Sequence, residues 1–321
     1  MTDERSLFTR EQLLIESIKE WAGSGLIGDD CALLPNQQIV TSDTLVEGTH
    51  FLKGKIGWSE LGWKTAAVNL SDIAAMAGRP RHLLFNVTVP EYLHSDQFRQ
   101  LYQGAVECAR TYKSNIVGGD LTHGPILVLS VTVLGDVHER GCLLRSGARP
   151  GDALVVTGDF GASAAGLWLI VNDKMDRIGY PRLAQAHFKP EPRLCESWSL
   201  VRQTGNRGAL IDASDGLADA IVQIARASKV GLQLDLETLP IHDQMKEVAR
   251  QAGLDPLDWA LYGGEDYELV GALPDEIWRA WKEDNPFTKI GTVTDTGVIQ
   301  LSDRKGALKL DLSRCFEQIS I

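Results

Sequence analysis

The chain of 321 residues has no closely paired cysteines, no excess of basic residues and no long apolar run. Its five cysteines are widely spaced without a C-x-x-C pair, which disfavours a disulfide framework or a zinc site. With 32 basic and 43 acidic residues the net charge is −11, whereas nonspecific nucleic-acid binding requires positive charge. No apolar run approaches the roughly 18 residues of a membrane span, and the charged N-terminus does not predict a signal peptide. We therefore expect a cytoplasmic protein with reduced thiols that binds neither nucleic acid nor membrane.

Common nucleotide-binding motifs are missing as well. The sequence contains no G-x-x-x-x-G-K-[ST] loop and lacks the V-A-I-K and H-R-D motifs of protein kinases. A G-x-G-x-x-G match at 23–28 follows a predicted helix and precedes Asp29 and Asp30. A dinucleotide site needs a strand before this motif and a helix after it, so the match does not predict a Rossmann domain.

Predicted strands and helices are intermixed along the whole chain. Apolar spacing predicts helices over 10–21, 58–77, 95–112, 191–204, 216–228 and 242–251, and another that starts at Gly161. Strands are predicted over 38–42, 82–89, 115–117, 126–134, 153–157, 209–212, 232–236, 268–272 and 288–293. This mixture predicts an α/β or α+β fold, and about 150 residues per domain suggests two domains. The turn-rich segment 145–152 is the best boundary, which divides the chain into 1–147 and 148–321.

Aspartates recur among small residues in predicted turns beside strands and helices. An acidic segment at 263–268 joins clusters that begin at Gly28, Thr41, Asn69, Gly118 and Asp212. For any single cluster, capping a helix is the commoner role of such residues. Asp72 fits that role poorly because it lies inside an otherwise apolar predicted helix, where an unpaired carboxylate is rarely buried. A bound cation would explain its position.

Magnesium is the cation that these clusters indicate. Mg²⁺ prefers oxygen ligands and is typically held by a few carboxylates together with substrate phosphates. An acidic site can hold phosphates only if cations lie between the two sets of oxygens, and neighbouring glycines let backbone N–H groups approach phosphate. The seven histidines are scattered without H-E-x-x-H spacing, which disfavours zinc. The residues alone thus predict a magnesium–phosphate site and leave its substrate open.

Seven ordered motifs resemble those of the thiamine-monophosphate kinase family. They include DTLVEGTHF and GGEDYE, and they begin at Leu26, Asp43, Ala67, Gly118, Arg145, Ser214 and Gly263. The sequence departs from the family pattern at Leu26, which replaces a glycine, and at Ala77, which precedes Gly78, and neither change removes an oxygen ligand. The order of all seven motifs, more than any one of them, makes the resemblance specific as far as Glu268.

The resemblance implies a fold, an oligomeric state and a reaction. The wider aminoimidazole ribonucleotide synthetase-like superfamily combines an N-terminal mixed-sheet domain, which forms a barrel with a second copy in a homodimer, with a C-terminal α/β domain. The implied reaction transfers the γ-phosphoryl group of ATP to thiamine monophosphate, with several Mg²⁺ ions, and gives thiamine diphosphate. Direct in-line transfer without a general base is expected, because a phosphate monoester is largely dianionic at neutral pH.

Carried over to this sequence, the resemblance implies three groups of site residues. The metal ligands would be Asp30, Thr41, Ser42, Asp43, Asp72, Asp120, Asp212 and Asp215. The contacts of ATP would be Tyr112, Gly119, Arg145 and Ser214. The contacts of thiamine monophosphate would be His50, Glu265 and, in a weakly matched C-terminal segment, Phe316. Trp259 is a further candidate to face the thiazolium cation, although a core position is commoner for tryptophan.

Two other functions stay open at the level of sequence. Another ATP-dependent synthetase of the same superfamily would share these motifs, although selenophosphate synthetase is disfavoured because no cysteine precedes Cys31. A noncatalytic sensor of magnesium–nucleotide would also need the acidic clusters. ADP production with thiamine monophosphate, but not with thiamine or formylglycinamidine ribonucleotide, would separate the three.

Overall fold

The computed structural model describes residues 9–281, 284–304 and 306–315, which form two halves with one sheet each. The first half consists of α1 (Arg10–Ala22), β1 (Ala32–Leu33), β2 (Gln38–Val46), α2 (Trp58–Ala75), β3 (Arg79–Val89), α3 (Ser95–Thr111), β4 (Asn115–Gly118), β5 (Leu121–His123) and β6 (Val128–Asp136). Its strands lie in the order β1-β2-β6-β3-β4, and β5 also pairs with β3. Strands β2, β6 and β3 are antiparallel neighbours, whereas β4 and β5 run parallel to β3.

The second half contains the remaining described elements. They are β7 (Ala153–Val156), α4 (Ala162–Val171), α5 (Pro181–Phe188), α6 (Leu194–Thr204), β8 (Ala209–Asp212), α7 (Leu217–Ser228), β9 (Gly231–Asp235), α8 (Asp243–Ala252), α9 (Pro256–Tyr262), β10 (Leu269–Leu273), α10 (Asp275–Ala280), β11 (Thr288–Thr294), β12 (Ile299–Asp303) and β13 (Gly306–Leu308). The strands lie in the order β13-β12-β9-β11-β7-β10-β8. Strands β7 and β10 are buried along their whole length, which is typical of a sheet covered on both faces.

Helix α2 lies at the centre of the molecule and contacts both halves. It packs on the first sheet and on α3, and it also contacts α6 and β8. Two glycines bring α2 and α3 close together, because a Cβ atom at Gly62 would lie 1.8 Å from the Leu101 carbonyl oxygen and one at Gly104 would lie 1.8 Å from that of Ser59. Most residues of α2 are buried, so any polar side chain on it needs a partner or a cavity.

The expected mixture of strands and helices, in a two-domain α+β architecture, is confirmed. The helix predicted over 58–77 ends at Ala75, because Ala77 adopts a left-handed conformation with φ of 53°. The helix predicted over 191–204 begins at Leu194, after two prolines that restrict the preceding backbone. The predictions did not include helices α5, α9 and α10 or strands β1, β5, β12 and β13. The boundary between 147 and 148 falls between β6 and β7 and stays a prediction.

Candidate active site

A cavity of about 660 Å³ is lined by residues of both halves. Helix α2 contributes Lys64, Val68 and Asp72, which are spaced four residues apart and therefore share one face of the helix. Eight residues at about 1.5 Å each separate Lys64 from Asp72 by about 12 Å along the helix axis. The cavity therefore has one end near Asp72 and another near Lys64, and the two ends differ in chemistry.

The Asp72 end holds a cluster of carboxylates from three separate elements. Asp72 comes from α2, Asp212 is the last residue of β8, and Asp30 lies in the loop before β1. One oxygen from each of these side chains lies within 4.8 Å of the other two. Asp43 on β2 and Asp215 before α7 line the same cavity. Three converging oxygens are the donor set that suits a hard divalent cation such as Mg²⁺.

Protein donors orient each carboxylate of the cluster. The Thr41 hydroxyl donates to Asp72 Oδ2, and the Ser71 hydroxyl donates to Asp212 Oδ2. Arg145 donates to both oxygens of Asp30, from Nη2 at 2.7 Å and from Nε at 3.2 Å. Such outer contacts fix the direction of ligand oxygens before a metal binds.

The cluster is electrostatically unfavourable when no cation is bound. Burial raises the pKa of Asp72 and of Asp212 well above the ordinary value, and neighbouring carboxylates raise both further. Burial, with a smaller effect of the Asp219 carboxylate, raises the pKa of Asp215 to about 8. A divalent cation would favour the ionised carboxylates and so offset these effects.

The Lys64 end is built around an ion pair. Lys64 Nζ lies 2.8 Å from Glu265 Oε1, and the lysine side chain is only 1% exposed. Burial disfavours the ionised form of Glu265, but the Lys64 ammonium and His187 outweigh this effect and hold the pKa of Glu265 below its usual value. His187 Nδ1 lies 3.1 Å from the Ser163 hydroxyl and 3.6 Å from Glu265 Oε2. Burial and the nearby ammonium lower the pKa of His187 to about 3, so its ring is neutral at neutral pH.

Glu265 is held in the cavity by an unusual backbone conformation. Glu265 and Tyr267 both lie in the left-handed region, with φ of 57° and 51°. The Glu265 N–H donates to the Ser214 carbonyl at 2.6 Å, and Asp266 between the two accepts from the Gly161 N–H at 2.8 Å. Non-glycine residues in this region are strained and persist only where the surrounding structure fixes them, which occurs often at functional sites.

Most of the site residues predicted from the sequence line this cavity. They are Asp30, Thr41, Ser42, Asp43, His50, Asp72, Arg145, Asp212, Ser214, Asp215 and Glu265. The role of Ser42 as a metal ligand stays a prediction, since its hydroxyl donates to the Val131 carbonyl on β6 at 3.0 Å. Successive residues of a strand point to opposite faces, so this hydroxyl does not join the side chains of Thr41 and Asp43.

Tyr112, Gly119 and Asp120 do not line the cavity, so their predicted contacts with ATP and metal stay predictions. Gly119 and Asp120 follow β4, which lies three strands from β2 in the first sheet, or about 14 Å at the usual strand spacing. Tyr112 packs edge-on against Trp63, with 6.3 Å between ring centroids. Within this chain, the structure does not bring these residues to the carboxylate cluster.

Trp259, the aromatic candidate of the second half that the structure describes, does not enter the site. Trp259 is partly buried, packs against Trp168 with 6.3 Å between ring centroids and against the core of the second half, and does not line the cavity. Packing against the core, the commoner role of tryptophan, is therefore the observed one. Phe316 lies outside the described residues.

Sequence reasoning missed Lys64 and His187. Lys64 carries a signal in the sequence, since it is a lysine in an apolar helix and lies on the same helical face as Asp72. His187 belongs to a helix that was not predicted, and no motif surrounds it.

Comparison with protein families assigns the chain. The model of the AIR synthase related protein N-terminal domain matches residues 28–137, and that of the C-terminal domain matches residues 149–304. Thiamine-monophosphate kinase of Bacillus subtilis (strain 168) is 38% identical over 284 residues, which cover 84% of this chain and 85% of the relative. The chain belongs to the thiamine-monophosphate kinase family.

Two further members of the thiamine-monophosphate kinase family agree with this assignment. The enzyme of Synechococcus elongatus is 36% identical over 330 residues and covers 97% of both chains. A solved structure, AaThiL complexed with AMPPCP and TMP, matches with a TM-score of 0.84 and 30% identity over 92% of this chain and 95% of that one. The resemblance stated from the motifs is thus confirmed.

Among the described helices, none is both long and apolar enough to cross a membrane.

Proposed function

We propose that this chain transfers the γ-phosphoryl group of ATP to thiamine monophosphate and so forms thiamine diphosphate. The observation that carries the proposal is one cavity with a carboxylate cluster at one end and the Lys64–Glu265 pair about 12 Å away. Relatives named thiamine-monophosphate kinase, and a related structure in complex with AMPPCP and TMP, support it.

We propose that the carboxylate end holds Mg²⁺, in several ions as the family resemblance implies. Asp30, Asp72 and Asp212 offer converging and oriented oxygens, and Asp43 and Asp215 lie beside them. When bound, Mg²⁺ would neutralise phosphate charge and thereby relieve the repulsion between two polyanions.

Nucleotide contacts are proposed for Arg145 and Ser214, which line the same cavity. Tyr112 and Gly119 stay predicted contacts of ATP, and Asp120 stays a predicted metal ligand. None of the three lines this cavity.

The chain's own residues bind and align the two substrates and need not accept a proton. The attacking oxygen belongs to a phosphate that is largely dianionic at neutral pH. The neutral His187 lies at the opposite end from the carboxylates and contacts Ser163, which is consistent with transfer that uses no general base. We therefore infer direct in-line transfer, which predicts inversion at a chiral γ-phosphorus, whereas a covalent phospho-enzyme would give retention.

The other end of the cavity suits the organic part of the acceptor. Ile56, Ile170 and Phe188 line the cavity and pack together near His187. These apolar side chains, with the ionised Glu265 and with His50, fit a flat cationic molecule better than a second highly charged group. We assign Glu265 and His50 to thiamine monophosphate on this basis.

We also propose that two copies of the chain associate through the first sheet, as in the superfamily. Leu84, Val117 and Leu121 are large apolar side chains exposed on β3, β4 and β5. Neighbouring exposed apolar residues on a sheet are typical of an interaction surface. A second copy would cover them if the sheets of the two subunits join into a barrel.

Measurement of ADP formation tests the proposed reaction. The purified protein should release ADP with thiamine monophosphate, and should release none with thiamine or formylglycinamidine ribonucleotide. Turnover with the ribonucleotide would instead identify a synthetase of the same superfamily. ATP binding without turnover of any of the three would identify a nucleotide sensor.

A further inference from the structure

Lys64 is a buried cation whose three donors are at most partly used by the residues that the structure describes. Its side chain is 1% exposed, yet it lines the cavity. Within the described part of the chain, its ammonium has the ion pair with Glu265 but no hydrogen bond of good geometry. An ammonium carries three donors, and a buried donor without an acceptor is costly. A ligand acceptor in the cavity would remove this cost.

Glu265 is a matching acceptor beside that donor. Its carboxylate is 26% exposed, towards the cavity that it lines. The distance of 3.6 Å from His187 Nδ1 is too long for a strong hydrogen bond, so Glu265 Oε2 keeps acceptor capacity. The Lys64–Glu265 pair therefore presents a donor and an acceptor side by side. The left-handed backbone at Glu265 helps to hold the acceptor in this position.

The distance along α2 decides what this pair can contact. Lys64 lies about 12 Å from Asp72 along the helix axis, too far to touch a phosphate held at the carboxylate cluster. The pair is therefore better placed to meet the end of the acceptor molecule that is remote from its phosphate. In thiamine monophosphate that end is an aminopyrimidine ring, whose amino group is a donor next to a ring nitrogen that is an acceptor.

We propose that Lys64 is a specificity-determining residue that donates to the pyrimidine ring nitrogen while Glu265 accepts from the neighbouring amino group. This inference rests on the proposed function, and it adds a recognition element that the motifs did not assign. Ile56, Ile170 and Phe188 enclose the same end, so the donor and acceptor act in surroundings of low polarity, where a mismatch is costly.

Two substrates and three proteins test the proposal. Initial rates are measured with thiamine monophosphate and with oxythiamine monophosphate, in which a carbonyl replaces the amino group and reverses the order of donor and acceptor. The wild type should prefer thiamine monophosphate by about 10- to 100-fold in kcat/KM, the range for a lost charge-assisted hydrogen bond. Lys64→Met should raise KM for thiamine monophosphate by a similar factor, leave KM for ATP unchanged and lower the preference several-fold without abolishing it, because Glu265 still disfavours the carbonyl of oxythiamine monophosphate.

The matched control is Arg207→Met, which also removes the cation of an ion pair with a buried carboxylate, that of Asp152, but does not line the cavity. It should keep the full preference, whereas a general loss of stability would affect both variants alike. If Lys64→Met does not fold, the wild type still decides, because equal use of the two substrates overturns the proposal. An unchanged preference in folded Lys64→Met overturns it as well. No turnover of either substrate by the wild type would contradict the proposed function itself.

Discussion

Asp72 is a carboxylate on a buried helix, and its charge is unfavourable there without a cation. We expect Asp72→Asn to lower turnover by about 100-fold or more, because changes at residues that only orient a metal ligand already cost 10- to 100-fold. The melting temperature of the metal-free protein should stay the same or rise, since the substitution removes a carboxyl group whose ionised form is disfavoured by burial and by neighbouring carboxylates. Steady-state ADP release and thermal unfolding measure the two effects.

The control for this prediction is Asp96→Asn, a change of the same kind at an exposed carboxylate on α3. Asp96→Asn should alter neither the rate of ADP release nor the melting temperature. Full activity of Asp72→Asn would contradict its assignment as a metal ligand.

Asp215 makes stability depend on pH. Burial, aided by Asp219, raises its pKa from 3.8 to about 8. Between about pH 4 and pH 8 the native carboxyl keeps a proton that the unfolded chain has lost, so the free energy of unfolding falls as pH rises across this interval. Asp215→Asn should therefore raise the melting temperature of the metal-free protein, and the gain should grow from about pH 5 to about pH 8.

Calorimetry with and without Mg²⁺ checks this prediction. Excess Mg²⁺ should diminish the gain, because the ion stabilises the wild-type carboxylate. A gain that is constant with pH would show that Asp215 does not titrate in this interval.

At the scale of single residues, the motifs predicted which residues form the site better than they predicted how the side chains are oriented and paired. Aspartates in turns and on an apolar helix were sufficient to predict the carboxylate cluster. The face on which Ser42 projects depends on the register of β2 against β6, and the partner of Lys64 lies two hundred residues further along the chain. Neither fact is local, so neither could be predicted from a motif.

Helices α2 and α3 depend on close backbone contact. We expect Gly104→Ala to lower the free energy of unfolding by about 1–3 kcal/mol, since the new methyl group would overlap the Ser59 carbonyl and force the helices apart. Denaturant titration measures the change. Gly25→Ala is the control, because its Cβ would meet no atom within 4 Å, and it should change stability much less. An equally small effect of Gly104→Ala would contradict the close helix contact.

The long amphipathic and apolar elements were predictable, whereas the short helices were not. Helix α1 begins after Thr9 with a capping box between Thr9 and Gln12, and the T-x-x-Q pattern of such a box is a local signal. Helices α5 and α9 have eight and seven residues, too few turns for apolar periodicity to distinguish them from loops. His187 lies on α5, so missing the element meant missing the residue.

Association of two copies is testable on the intact protein. The double variant Val117→Asp, Leu121→Asp should convert a dimer to a monomer, because charges on β4 and β5 oppose burial of that surface. Light scattering after size-exclusion chromatography measures the mass. Ile178→Asp serves as the control, since Ile178 is 93% exposed in the second half and should not affect association. A monomeric wild type, or a double variant that stays dimeric, would contradict the proposed interface.

The cavity is formed by both halves of the molecule together, so no single motif could predict it. Two halves, each predicted with the correct mixture of elements, contribute Asp30 and Asp212 to one cluster. The ordered motifs indicated that these residues belong together, but only the packing of α2 against both halves brings them within a few ångströms. The order of the strands in the first sheet places Asp120 beside β3, three strands away from β2.

Because Lys64 and Asp72 belong to a single continuous helix, the span between them cannot be adjusted gradually. Inserting one residue between them would turn one end by about 100° relative to the other, and would point either the lysine or the aspartate into packed protein. Only an insertion or deletion of about one helical turn would keep both side chains directed into the cavity, and it would change their separation by about 5 Å. Members of the thiamine-monophosphate kinase family that accept a longer or shorter acceptor molecule are therefore expected to differ in the loops and helices opposite α2. The eight-residue interval between the lysine and the aspartate should be retained.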